Sequence, residues 1–128
     1  MPDFDWAEYL ELAEELITRR RGDPAAERTG ISRAYYAAFH AAASYFAAQG
    51  GRLTRKGDDH QIVWDWFWGK ADQREKQVAA DGMRLRHSRR RADYEPQFQG
   101  LSNQAALSLR QAQAVIGNVQ RLFNPRRA

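Results

Sequence analysis

Hydrophobic positions recur at spacings of three and four along several separate blocks of the chain, the period of an amphipathic helix. The first block is Trp6, Tyr9, Leu10, Ala13, Leu16 and Ile17. Asp5 and Glu8 have the spacing of a capping box, so the first helix is expected to begin near Asp3 or Asp5. Arg19, Arg20 and Arg21 complement its negative end, and Gly22 stops it. Asp23-Pro24 reads as the N-cap and first-turn proline of a second helix. Gly30 is a weak point there, which leaves Ser32 as an alternative start. Over residues 31–48 this helix is apolar almost all round, so it is expected to be covered on several sides, by its own bundle or by a partner subunit. Gln49-Gly50-Gly51 ends it.

A polar loop over 52–59 leads to a short third helix over 60–68. Within it Trp64, Phe67 and Trp68 share one face and are expected to pack the bundle, while Trp66 points elsewhere. After a break over 69–73, a fourth helix is expected over 75–94, and a loop with Pro96 over 95–100. Ser102 or Asn103 caps the last helix, whose stripe is Ala105, Leu109, Ala112, Ile116, Val119 and Phe123. Asn124-Pro125 ends it, and Arg126-Arg127 form a basic tail. Short connections between long amphipathic helices imply antiparallel neighbours. The expected fold is all-α, an antiparallel up-and-down bundle of four to five helices, one domain over 1–128.

Composition sharpens this. The apolar residues are mostly Ala, Leu and aromatics, which favour helix over strand. The absence of cysteine removes disulfides, thiolate metal sites and Cys nucleophiles together. A cytoplasmic location is expected, with no membrane association: residues 1–10 do not read as a secretory signal, and the longest apolar run, 34–48, is too short and too Ala-rich to span a bilayer. The net charge is +4 and its positive part is nearly all Arg, the side chain suited to bidentate phosphate or carboxylate contact. The three histidines are far apart in sequence, and neither a glycine-rich phosphate loop nor a Gly-x-Ser-x-Gly elbow is present. No metal and no cofactor are expected.

The fourth helix carries the candidate chemistry. Its inward stripe is Val78, Gly82, Leu85, Arg89 and Ala92, so an arginine occupies a core position. A buried charge needs a partner, and Asp93 one turn on supplies it. Arg86 lies on the same side one turn before, and Tyr94 closes the helix with a hydroxyl. Two readings fit: an internal Arg–Asp brace, or a phosphate-binding arginine held by Asp93. Arg84, Arg90 and Arg91, with His87 among them, extend a basic surface of which part is solvated. On the second helix Arg33, Tyr36 and His40 share a face at spacings of three and four. His40 there reads first as a core histidine, and a further hypothesis is that it approaches Arg89 across the bundle. His60 reads as a cap or loop-pinning residue.

Residues 32–42 (Ser-Arg-Ala-Tyr-Tyr-Ala-Ala-Phe-His-Ala-Ala), then His60, then Leu85-Arg86 and Arg89-Arg90-Arg91-Ala92-Asp93-Tyr94 resemble the HEPN domain (higher eukaryotes and prokaryotes nucleotide-binding). The likeness is to its small prokaryotic branch, whose motif helix ends Arg-x-x-Ala-Asp-Tyr, and it covers nearly the whole chain. The resemblance implies a four- to five-helix bundle that forms a homodimer. In members with nuclease activity the motif helices of two protomers face each other and cleave RNA without metal. Their motif is Arg, four to six residues, then His. Many small members pair with a minimal nucleotidyltransferase as toxin and antitoxin. Here Arg89 takes the Arg position, but five residues on stands Tyr94, and a phenol is a poor general base near neutral pH. The expected function is therefore an RNA- or nucleotide-associated component of a toxin–antitoxin or defence system. Its degenerate site is built on Arg86, Arg89, Asp93 and Tyr94 with Arg33, Tyr36 and His40. The alternatives are an active ribonuclease toxin using Arg89 and Tyr94, or a purely structural dimer.

Overall fold

Local signals open and close five helices in the computed structural model, which describes residues 2–125. These are α1 (Ala7–Thr18), α2 (Pro24–Ala48), α3 (Asp59–Trp68), α4 (Gln73–Tyr94) and α5 (Leu101–Phe123); no strand occurs among the described residues. Asp5 accepts from the Ala7 amide at 3.0 Å and so caps α1, which starts slightly later than the spacing of Asp5 and Glu8 suggests. The Asp23 carboxylate accepts from the Ala26 amide at 3.3 Å, ahead of Pro24 in the first turn of α2. Asp72 caps α4 through the Arg74 and Glu75 amides at 2.7 and 3.3 Å, two residues before the expected start. The last helix is a further correction. Gly100, in the left-handed region at φ 69°, precedes α5 without a side-chain cap, so Ser102 and Asn103 fall inside its first turn. The Arg126-Arg127 tail lies outside the described residues.

The fold is an all-α bundle built around α2. This helix packs against α1, α3, α4 and α5, and Ala34, Ala37, Ala38, Ala42 and Ala43 are buried along it. Most of its apolar surface is thus covered within one chain, with Tyr36, Ala41 and Tyr45 left half-buried. Gly30 does not interrupt it. A Cβ there would stand 2.5 Å from Ile17 Cγ1, so the missing side chain is what lets α1 lie close against α2. The sequence expectation for the tryptophans is partly reversed. Trp64 and Phe67 are buried, but Trp68 is 53% exposed, and the half-buried Trp66 packs on Tyr45, Phe46 and Phe67. Against α4, the Trp64 ring occupies the space where Gly82 has no Cβ. No helix among the described residues is long and apolar enough to cross a membrane.

Two loops are tied by single side chains. Arg28 of α2 donates to the carbonyls of Ala92, Glu95 and Pro96 at 2.9, 2.7 and 3.3 Å, satisfying acceptors that the end of α4 leaves open. Asp59 accepts from the Thr54 hydroxyl and amide at 2.6 and 2.7 Å and from the Arg55 amide at 2.7 Å. These bonds hold Arg55, a non-glycine residue at φ 61°, in the left-handed region. They also hold the Asp59 carboxyl below the usual carboxylate range, the Thr54 hydroxyl contributing most. A lowered folded-state pKa means stability that is present above the ordinary aspartate value, near 3.9, and is lost as pH falls through the lower value. The protection factors of the Thr54 and Arg55 amides, relative to intrinsic exchange at each pH, are therefore expected to fall selectively at acid pH, with α2 still protected. Uniform loss of protection along the chain would show that Asp59 does not pin this loop.

Candidate functional site

The stripe that builds α4 into the core also carries Arg89 inward. Leu85 precedes it by one turn and Ala92 follows it by nearly one, and both are buried. The Arg89 side chain is left only 11% exposed. Its ion pair is weak in geometry: Nη1 lies 3.4 Å from Asp93 Oδ2, and Asp93 itself is 31% exposed. The buried Nε has no hydrogen-bond partner. The guanidinium instead lies over the rings of Tyr35 and Tyr36, 5.5 and 5.7 Å from their centroids. A guanidinium has five N–H donors, so one long bond leaves this one under-satisfied.

Arg86 repeats the pattern one turn earlier. Its Nη1 donates to Gln61 Oε1 of α3 at 3.0 Å, and its Nε is buried without a partner. From α2, Arg33 lies over the rings of Tyr9 and Tyr36 at 4.7 and 5.2 Å, with one long contact, 3.4 Å, to the Ser32 hydroxyl. Tyr36 thus has a guanidinium from each of two helices against it. Among the described residues, neither Arg33 nor Arg86 forms a salt bridge. Three guanidiniums gather on this face against the carboxylates of Asp93 and, beside His60, Asp59, and the local field favours an anion.

An imidazole completes the cluster, and it comes from α3. His60 stacks on Phe39 at 4.0 Å and meets Tyr36 edge-on at 6.0 Å. Its Nδ1 lies 2.5 Å from the Tyr35 hydroxyl, which also accepts from Trp64 Nε1 at 3.1 Å. Burial pushes the His60 pKa down to about 4, helped by the positive charges of Arg86 and Arg89 and opposed by Asp59. Burial likewise lifts the Tyr35 phenol to about 12. Near neutral pH both groups are uncharged.

Of the residues singled out in the sequence, the fold brings together Arg33, Tyr36, Arg86, Arg89 and Asp93. Tyr94 lies outside this cluster, and His40 reaches only its edge, close enough to His60 for its charge to act there. His40 stacks face to face on Trp6 at 3.5 Å, beside a groove of about 240 Å³ lined by Ala37, Ala41, Val119 and Phe123. Burial lowers its pKa, and no contact joins it to Arg89. Tyr94 stands five residues after Arg89, about 140° further round a helix. It points away from the cluster and is 76% exposed. His60, Tyr35, Trp64 and Gln61 are the members that sequence reasoning did not place here. Their signal was present: buried Tyr and Trp heads require polar partners, and His60 and Trp64 share one face of α3 at a spacing of four. Compared with models of known protein families and with curated proteins, the chain matches none.

Proposed function

We propose that the arginine face of α2, α3 and α4 binds phosphate groups of RNA or a nucleotide without cleaving them, in a protein of HEPN type. The observation that carries this reading is Arg89: a guanidinium almost nine-tenths buried, with one 3.4 Å bond and a buried Nε lacking any partner. Such a charge gains from an anionic ligand more than a surface arginine does, because it has already lost its water. Arg33 and Arg86 add charge. The resemblance to HEPN domains supports the same ligand class. It alone supports two further parts of the proposal, a homodimer and a role beside a minimal nucleotidyltransferase in a toxin–antitoxin or defence system, since α2 is mostly covered within one chain.

One observation favours a ribonuclease instead: His60 supplies, beside Arg86 and Arg89, the imidazole that the motif helix lacks. The two readings separate in one experiment. A mixed RNA pool is incubated with the protein in EDTA, beside Arg89→Ala. Arg89-dependent retention without cleavage is the expected result. The slope of log affinity against log salt should fall by roughly 0.7 to 1 in the variant, as one phosphate contact is lost. Cleavage by the parent and not by Arg89→Ala would establish the ribonuclease; neither retention nor cleavage would remove both.

A further inference from the structure

The hydrogen bonds that run from Trp64 through Tyr35 to His60 have a direction, and the first residue sets it. An indole N–H can only donate. Trp64 Nε1 donates to the Tyr35 oxygen at 3.1 Å, with both residues fully buried. The phenol has one proton of its own to give, and His60 Nδ1 is 2.5 Å away. Burial holds that proton on Tyr35 well beyond neutral pH. Nδ1 is therefore the accepting nitrogen, and the single proton of the neutral imidazole sits on Nε2.

We propose that His60 serves the arginine face as a neutral hydrogen-bond donor, its Nε2–H contacting a phosphate oxygen beside Arg86 and Arg89, with Tyr35 as the positioning residue that fixes the tautomer. This inference rests on the phosphate-binding reading above. It also gives that reading a chemical reason for binding without cleavage. The lone pair on Nδ1 is engaged by Tyr35, and Nε2 carries a proton, so His60 has no free nitrogen with which to accept a proton from an attacking hydroxyl. Nor, in the free protein near neutral pH, is it an imidazolium poised to protonate a leaving group, because burial and two neighbouring guanidiniums lower its pKa to about 4. A neutral donor suits the place: it adds a hydrogen bond without adding charge to a face already crowded with guanidiniums.

The groups facing His60 are Arg86 and Arg89 from α4, Asp59 and Gln61 from α3, and Tyr35, Tyr36 and His40 from α2. The Asp59 and His40 pKa values both lie below their usual ranges. Binding of a phosphodiester is thus expected to be nearly flat from about pH 6.5 to 8. A phosphate monoester would instead vary through its own second ionisation near 6.

The test is imidazole ¹⁵N NMR on the intact chain, alone and with three probes: an oligoribonucleotide without terminal phosphates, adenosine monophosphate, and adenosine. The free protein should show His60 as the Nε2–H tautomer, unchanged over that pH range. The oligoribonucleotide should move the Nε2 resonance and adenosine should not; the response to the monophosphate tells whether a monoester also fits. In retention assays His60→Ala should lose roughly tenfold, the effect of one hydrogen bond to a charged group, and His60→Gln should recover part of it. Tyr35→Phe, which keeps the ring, should mix the tautomers and weaken binding a few-fold, so the idea remains testable if His60→Ala does not fold. An Nδ1–H tautomer overturns the inference. So does Arg89-dependent RNA binding that neither moves Nε2 nor weakens in the His60 and Tyr35 variants, and in that case the phosphate-binding reading survives. Absence of any Arg89-dependent binding overturns both.

Discussion

Trp64→Ala is expected to destabilise the fold by about 3–5 kcal/mol, the range for truncating a large buried aromatic. That is a large part of the roughly 5–15 kcal/mol that holds a typical domain together. Trp64 has no exposed surface, and its ring packs on Tyr35 and Phe39 with centroids about 6 Å apart (6.2 and 6.1 Å). It also fills the space that Gly82 leaves on α4. Alanine would open a void at the junction of α2, α3 and α4 and remove the donor to the Tyr35 oxygen. The control lies on the same helix. Trp68→Ala should change stability by no more than about 1 kcal/mol, since Trp68 is 53% exposed and its main contact is the Lys76 ammonium 5.0 Å above the ring. The Lys76 bond to the Trp68 backbone carbonyl, at 2.7 Å, survives the substitution. Urea unfolding of both variants checks the contrast. Equal losses would mean that the burial pattern of α3 described above is wrong.

That contrast also bears on how much of the fold is legible in the sequence. The helices themselves were legible because their ends carry local chemistry: Asp23-Pro24 before α2 and glycines after α1 and α2. The inward position of Arg89 was legible from period alone, since a residue between Leu85 and Ala92 on a helical stripe faces where they face. In α3, however, the exposed Gln61 and Asp65 mark a polar face on which Trp68 also falls, and grouping Trp68 with Trp64 and Phe67 passed over that signal. The roll of α3 is decided by its contacts with α2 and α4. The cover of α2 was undecidable, because an all-apolar helix is the same whether its own bundle or another subunit surrounds it. The Tyr35–His60 bond spans twenty-five residues and two helices, so no local spacing announces it. Tyr94, five residues after Arg89, stands about 140° further round the helix and is 76% exposed, so a single chain does not bring the two side chains together.

Arg89→Met should leave stability unchanged or slightly raised while sharply weakening RNA retention. Methionine keeps the length of the side chain and makes favourable contacts with the Tyr35 and Tyr36 rings that now lie under the guanidinium. What is lost is one 3.4 Å bond to a carboxylate that is 31% exposed, together with the attraction of the guanidinium to two tyrosine rings. What is relieved is a buried charge with an unpartnered Nε. Replacing buried charged groups by packed apolar ones is often neutral or stabilising, whereas breaking a true buried brace costs about 3–5 kcal/mol. The variant therefore sets the phosphate site against a purely structural Arg89–Asp93 pair. Urea unfolding and RNA retention measured on the same preparation give opposite patterns for the two. A binding site loses retention and keeps its midpoint, because an under-satisfied guanidinium contributes to the ligand and little to the fold. A brace loses its midpoint and keeps whatever RNA affinity the parent has, and that pattern would return Arg89 to the core as a fastening between α4 and α2.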